Sequence, residues 1–534
     1  MALSHKIFFG VILAVVATVS VVRFSGLPDF PIFNDETIYT QYSQLLAEDF
    51  GKFKFVSIDN VFRDWKPPLQ YWLGSLSVNW QENPLLGVRL LSAIFWFLGA
   101  VGIYFLAAGI WTRKEGWFAL LFYVLNPSVF FYGGQFIAEV YVWTTAIWLL
   151  VFLVGLMKRS IFDLRFGLII GAAATGAALL LFKQASFLYF YLAWLWPLFF
   201  WPFRPDPKKD KKNSASFSGE WRLWRRNALS VWGVLAVSFV VYKLIIPAQL
   251  FDLEKQFTSR WTLGIGEIFS WPATVWSANL NLVWNFFIHY YSPVVLFLVF
   301  IFTFFAFYRR QREEIAVSSM FWLASFGVIL GLRGFNEYLY HTAVIVFLIL
   351  TLSRFSASFL DGNRIIGWRG FLKGLGLAAV IFFLIFWGLQ IYLQESNPAG
   401  YLDRGTTWLR GNNLLSWANG FNVPILIEIL EQRPDSSIAF VDPQWGNPGT
   451  ALQVFQNYYP QVRIAPITAD LFRPGFLDQL RSAGFQSRLA IFSKQGNAPD
   501  IRNQWQKGFG GDFCGEYLEF RTHNDQTPVV VCIF

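Results

Sequence analysis

Residues 34–72 read NDETIYTQYSQLLAEDFGKFKFVSIDNVFRDWKPPLQYW, a polar stretch between an apolar run at 7–24 and a longer one at 86–111. An acidic pair, Asp35–Glu36, opens it, and a lone cation, Lys66, stands beside Pro67–Pro68 near its end. Over 36–49 the residues Ile38, Tyr42, Leu45 and Leu46 recur at helical spacing. They predict a helix with one apolar face lying along a membrane surface, with Asn34 placed to cap its start. The two prolines restrict the backbone beside Lys66.

Around this stretch the chain is too apolar for a soluble enzyme: 55% of its 534 residues are hydrophobic, 20% aromatic and only 14% charged. A span needs about 20 apolar residues. Such runs recur at 7–24, 86–111, 116–133, 136–157, 166–182, 185–203, 228–247, 284–308, 315–332, 338–353 and 373–393. The expected architecture is mainly α, a polytopic membrane protein of about 11 transmembrane helices with amphipathic helices in its first outer loop. Within 116–203, Asn126–Pro127 and Gly133–Gly134 interrupt the runs, so short hairpins there could be re-entrant. The first run is read as a retained span, since no Ala-x-Ala pattern follows it.

Basic residues set the orientation. Eight Lys or Arg lie between Arg204 and Arg226, whereas the loop 25–84 carries four basic residues against eight acidic ones. The amino terminus is therefore expected in the cytoplasm and the 34–72 stretch outside. The net charge of +9 sits mainly in the cytoplasmic loops, above all KKDKK at 208–212. It reads as a topology determinant beside anionic headgroups, not as a nucleic-acid site.

From about residue 398 the pattern becomes that of a soluble domain. Apolar runs at 438–441, 462–467, 488–492 and 528–534 alternate with helix-like stretches at 423–432, 450–458 and 474–483. This predicts a second domain, 398–534, an extracytoplasmic α/β unit with a mostly parallel sheet, after a transmembrane domain at 1–397. Its Cys514 and Cys532 are the only cysteines. They are either bridged or two buried thiols.

Asp35–Glu36 just after the first span, with Lys66–Pro67–Pro68–Leu69 following in the same loop, resembles the first outer loop of the polytopic glycosyltransferases of the C superfamily. The likeness is to the protein-mannosyltransferase and aminoarabinose-transferase kind, family 39-like, and covers the first 390 residues or so. It implies an inverting enzyme that moves a sugar from a polyprenyl-phosphate donor to a glycan, lipid or protein acceptor at the outer face. Membrane lipids would be its surroundings.

The resemblance implies Asp35 as catalytic base, Glu36 and Glu139 as groups that bind or orient the acceptor, and Lys66, Lys183, Arg89 and Arg333 as ligands of the donor phosphate. Tyr338 would touch the donor. Each has a plainer reading. Asp35 and Glu36 could serve only the helix dipole. Glu139 could tie spans together, and Arg89 and Lys183 could snorkel to headgroups. No cofactor is implied with certainty. A divalent metal is left open, but Trp65 stands where the aminoarabinose enzymes have a metal-binding Glu, and His289 and His341 are isolated. Two alternatives stay in view: an oligosaccharide-to-protein transferase, although its WWDYG signature is absent, and a non-catalytic lipid-linked-sugar transporter or subunit.

Overall fold

The computed structural model describes residues 2–27, 34–55, 67–158, 162–183, 186–199, 214–247, 259, 262–309, 311–334, 337–360, 368–396 and five strands in the tail. The chain parts into two compact units. One holds Met1–Leu27, Glu48–Gly74 and Arg89–Tyr392. The other holds Pro28–Ala47, Ser75–Val88 and Leu393–Phe534.

The first unit is a helical bundle. Among the described residues, five of its helices are long and apolar enough to cross a membrane: α5 (Pro84–Ile110), α8 (Ala138–Lys158), α11 (Ser214–Ile245, spanning from Trp221), α15 (Arg312–Gly331) and α16 (Glu337–Leu360). A bent pair of helices is a broken span or a re-entrant loop. The expected run 116–133 is two helices, α6 (Arg113–Val124) and α7 (Pro127–Gly133), bent by 62°. The break is local chemistry: Asn126 Oδ1 accepts from the backbone N–H of Ser128 (3.1 Å) and Val129 (3.0 Å), restarting a helix whose first residue is Pro127.

The other expected spans are shorter apolar helices of 10–17 residues. They lie in α1 (Ala2–Ser25), α9 (Phe162–Phe182), α10 (Ser186–Phe199), α14 (Pro293–Arg309) and α17 (Trp368–Ser396). Among the described residues, five helices, or six if the bent pair is one span, are thus long and apolar enough to cross a membrane, which leaves the expected eleven neither met nor excluded.

Between α11 and the next span lie α12 (Ile265–Phe269) and α13 (Ala273–Phe286). α13 runs into a π-helical turn, Phe287–Tyr291, closed by Ser292 at φ 70°, so the next span begins at Pro293 and not at 284. Asn279 and Trp276 of α13 donate to carbonyls at the end of α15.

One end of the bundle is held by charge. Arg354 of α16 donates from Nη1 to Glu115 Oε1 and from Nε to Glu314 Oε1, each at 2.6 Å. Glu115 also closes the capping box of α6 with Thr112. Lys158 Nζ reaches the Ile110 carbonyl. The end of α5, the starts of α6 and α15, and the ends of α8 and α16 are thereby level with one another.

In the second unit, α2 (Asn34–Glu48) is the expected amphipathic helix, but its inward face differs. Glu36, Tyr39, Thr40, Ser43 and Leu46 are buried, while Tyr42 and Leu45 are half-buried. Thr40 Oγ1 donates to the Glu36 carbonyl (2.8 Å) and Ser43 Oγ to that of Tyr39 (2.9 Å). Hydroxyls satisfied on their own helix can be buried, which the apolar spacing did not foresee.

The tail strands are β1 (Ile438–Val441), β2 (Ile464–Ile467), β3 (Leu489–Phe492), β4 (Glu516–Arg521) and β5 (Pro528–Ile533), in the order β2-β1-β3-β5-β4. β1 pairs in parallel with β2 and β3, and β5 pairs antiparallel with β3 and β4, so the sheet is mixed, not mostly parallel. β4, with the sequence EYLEFR, was not foreseen because its charges hide the alternation. The stretches expected as helices here, and Cys514, lie outside the described residues.

Candidate active site

At the end of the bundle opposite the Arg354 network, α1, α4 (Leu69–Ser77), α7, the start of α8 and the end of α9 bring buried polar groups together. The backbone from Phe130 to Phe136 supports two of them, Arg23 and Gln70. Arg23, fully buried in the last turn of α1, donates from Nη2 to the Phe130 carbonyl (2.7 Å) and stacks 3.9 Å over the Phe130 ring. Gln70, just after Pro67–Pro68–Leu69, donates to the Phe136 carbonyl (3.1 Å). Arg23 passes close to Gly134: a Cβ there would fall 1.9 Å from Arg23 Nη1, so the guanidinium would have to shift.

Glu139, in the first turn of α8 and 2% exposed, is ion-paired with Lys183 at the end of α9. The Lys183 side chain is 21% exposed, so the cation reaches the surface while its carboxylate partner does not. A helix N-terminus favours the carboxylate there. Lys183→Met leaves Glu139 buried without this partner and is expected to cost about 3–5 kcal/mol, while Glu139→Gln/Lys183→Met together should cost much less. Thermal denaturation of the four proteins of this cycle checks the pairing.

Arg89 is fully buried and donates from Nη1 to the Leu27 carbonyl (2.8 Å). It does not snorkel to headgroups; it binds the chain end just past α1, four residues beyond Arg23. Arg333 lies at the same end of the bundle but is exposed. It donates to Glu267 Oε2 (2.7 Å) and to the carbonyls of Ser259 and Thr262 (3.1 Å each). The Glu267 carboxyl is held below its usual range by the Gly264 N–H and by Arg333. Together these contacts and the Thr262–Leu332 bridge fasten the segment before α12 to the end of α15.

Asp35 is the second residue of α2, and its side chain lies outside the described residues. Glu36 beside it is fully buried. Lys66 lies outside them too. Pro67 and Pro68 are buried, Trp72 Nε1 donates to the Lys54 carbonyl (3.1 Å), and Phe50 and Phe55 pack on Trp72, each ring 5.8 Å away. The side chain of Tyr338, in the first turn of α16, is likewise outside the described residues.

Sequence reading missed Arg23 and Gln70. The signal for Arg23 was available: a lone cation at the edge of an apolar run is costly unless placed for a purpose. His341, read as isolated, is fully buried against Tyr132, Trp143 and Tyr291. Neither of its ring nitrogens has a hydrogen-bond partner among the described residues. No three His, Cys, Asp or Glu side chains among those residues converge as metal ligands, and no step is assigned to a metal.

A polytopic helical membrane protein with buried charges near both ends of its bundle is the class this architecture defines. The fold is one that solved structures share. It is similar to ArnT from Cupriavidus metallidurans bound to undecaprenyl phosphate, at 13% identity over 98% of both chains with a TM-score of 0.53. It is also similar to the oligosaccharyltransferase of Archaeoglobus fulgidus in complex with zinc and sulfate, at 13% identity over 97% of this chain and 72% of that one, TM-score 0.50. No family model and no curated protein matches the sequence.

Proposed function

We propose that the protein is an integral-membrane glycosyltransferase that passes a sugar from a polyprenyl-phosphate donor to an acceptor at the outer face, with inversion. The observation that carries this reading is the fold likeness along 98% of both chains to ArnT, a protein seen with undecaprenyl phosphate bound. Asp35 takes the acceptor proton as the acceptor oxygen attacks the anomeric carbon from the face opposite the phosphate. The bond from that carbon to the phosphate oxygen breaks, and the phosphate leaves with its charge.

Lys66, Lys183, Arg89 and Arg333 stabilise that charge, with Tyr338 against the donor and Glu36 and Glu139 orienting the acceptor. Arg333 would exchange Glu267 for the phosphate. The topology that goes with this has eleven spans, counting the bent pair and the shorter apolar helices, a cytoplasmic amino terminus and an extracytoplasmic α/β domain at 398–534. Its support is the set of exposed cations Arg113, Arg222, Arg225, Arg226 and Arg309 at the end opposite the buried polar cluster.

The test is to incubate the purified protein with a panel of polyprenyl-phosphate sugars and score free polyprenyl phosphate by mass spectrometry. Release from none of them, by protein shown to be folded, overturns the reading. Lys66→Met is expected to weaken donor binding about tenfold or more, the size of one charge-assisted hydrogen bond, without unfolding the protein. Equal donor affinity would remove Lys66 from the phosphate site. The likeness to an oligosaccharyltransferase keeps one second reading, transfer to protein. Transfer to an acceptor peptide in the same assay would establish it.

A further inference from the structure

α11 differs from the other long spans in how little of it is covered: 33% of its span is buried, against 56–83% for α5, α8, α15 and α16. Its exposed face is sharply divided. Arg222, Arg225 and Arg226 are all exposed, and at spacings of three and four residues they share one side of the helix. Below them the same side continues as Leu229, Gly233, Val237, Val240 and Leu244, each exposed. This apolar track is about 22 Å long at 1.5 Å per residue, enough for most of the hydrocarbon thickness of a bilayer.

The depth of the three arginines is set by their neighbours. Asn227 donates to the carbonyl of Met157 (2.8 Å), the penultimate residue of α8, and Trp224 Nε1 to that of Pro197 (2.9 Å), near the end of α10. Arg222, Arg225 and Arg226 therefore stand at or just beyond two helix ends, where headgroups lie. Trp221, stacked on Trp224 with ring centroids 5.0 Å apart, marks the same level. Among the described residues no carboxylate pairs with any of the three.

We propose that this face of α11 is a binding site for an anionic phospholipid, its phosphate held by Arg222, Arg225 and Arg226 and its acyl chains laid along Leu229 to Leu244. The apolar track below the cations selects a lipid over a free anion. The site is on the leaflet away from the sugar-transfer chemistry and does not depend on that chemistry.

Native mass spectrometry of the full-length protein, released from nanodiscs of mixed phosphatidylglycerol and phosphatidylcholine, tests it. Wild-type protein should retain phosphatidylglycerol in preference to phosphatidylcholine. Neutralising one arginine should weaken that preference roughly fivefold, and Arg222→Gln/Arg225→Gln/Arg226→Gln roughly a hundredfold. The single variants serve if the triple one does not assemble. Lys52→Gln, exposed at the other end of the bundle, should change nothing. Equal retention of the two lipids by wild-type protein, an undiminished preference in the variants, or displacement of phosphatidylglycerol by millimolar inorganic phosphate would each overturn the proposal.

Discussion

Asp35→Asn is expected to lower turnover by about 100- to 10,000-fold, the usual loss when a general base is removed, and to leave donor binding intact. Asparagine keeps the size and most of the hydrogen bonding of aspartate but cannot take a proton. The competing acid is the next residue. Successive helical positions point about 100° apart, so Asp35 and Glu36 cannot occupy one place. Glu36 is on the buried face of α2, beside Tyr39 and Thr40 in helical spacing, which suits a carboxylate that orients rather than one that meets a diffusing acceptor. Glu36→Gln should therefore reduce kcat less than Asp35→Asn. A folded Asp35→Asn protein with near-normal turnover would send the search for the base to Glu139.

Arg354→Met should destabilise the bundle by about 3–5 kcal/mol, because it strands two carboxylates at once. The side chains of Glu115 and Glu314 are only 3% and 9% exposed, and each receives a 2.6 Å bond from the guanidinium. Their helices, α6 and α15, are far apart in sequence and meet α16 at this point. Arg354→Lys should recover little, since a single ammonium cannot reproduce the two-armed geometry of the guanidinium. Loss of thermal stability in detergent is the measurement. A variant as stable as wild type would mean that water reaches this end and solvates the two acids.

The helical bundle was legible wherever apolar runs exceeded the length of a span, because nothing else in a chain of this composition accounts for them. Charges were harder to read. Lys183 and Glu139 each stood out as an ionisable group in an apolar setting, yet 44 residues separate them and spacing could not pair them. Arg89 looked like a snorkelling cation because its distance from the end of the run is right for one; only the fold brings the Leu27 carbonyl to it. α2 was found, but its buried face was misjudged, since Thr40 and Ser43 satisfy their own hydroxyls and so behave as small apolar residues. In the tail the strands with pure β-branched and aliphatic runs were visible, and β4 was masked by its glutamates and arginine.

The fit of Arg23 against Gly134 bears on how the gene can be handled. The last turn of α1 is keyed into the bundle by one guanidinium, one carbonyl and one residue with no side chain. A foreign leader spliced in ahead of residue 27, or a protease site placed there, would remove the donor of the Phe130 carbonyl and leave a cleft the width of an arginine beside α7. A Gly134→Ala allele should displace the Arg23 guanidinium from the Phe130 carbonyl even though it leaves every residue of α1 in place.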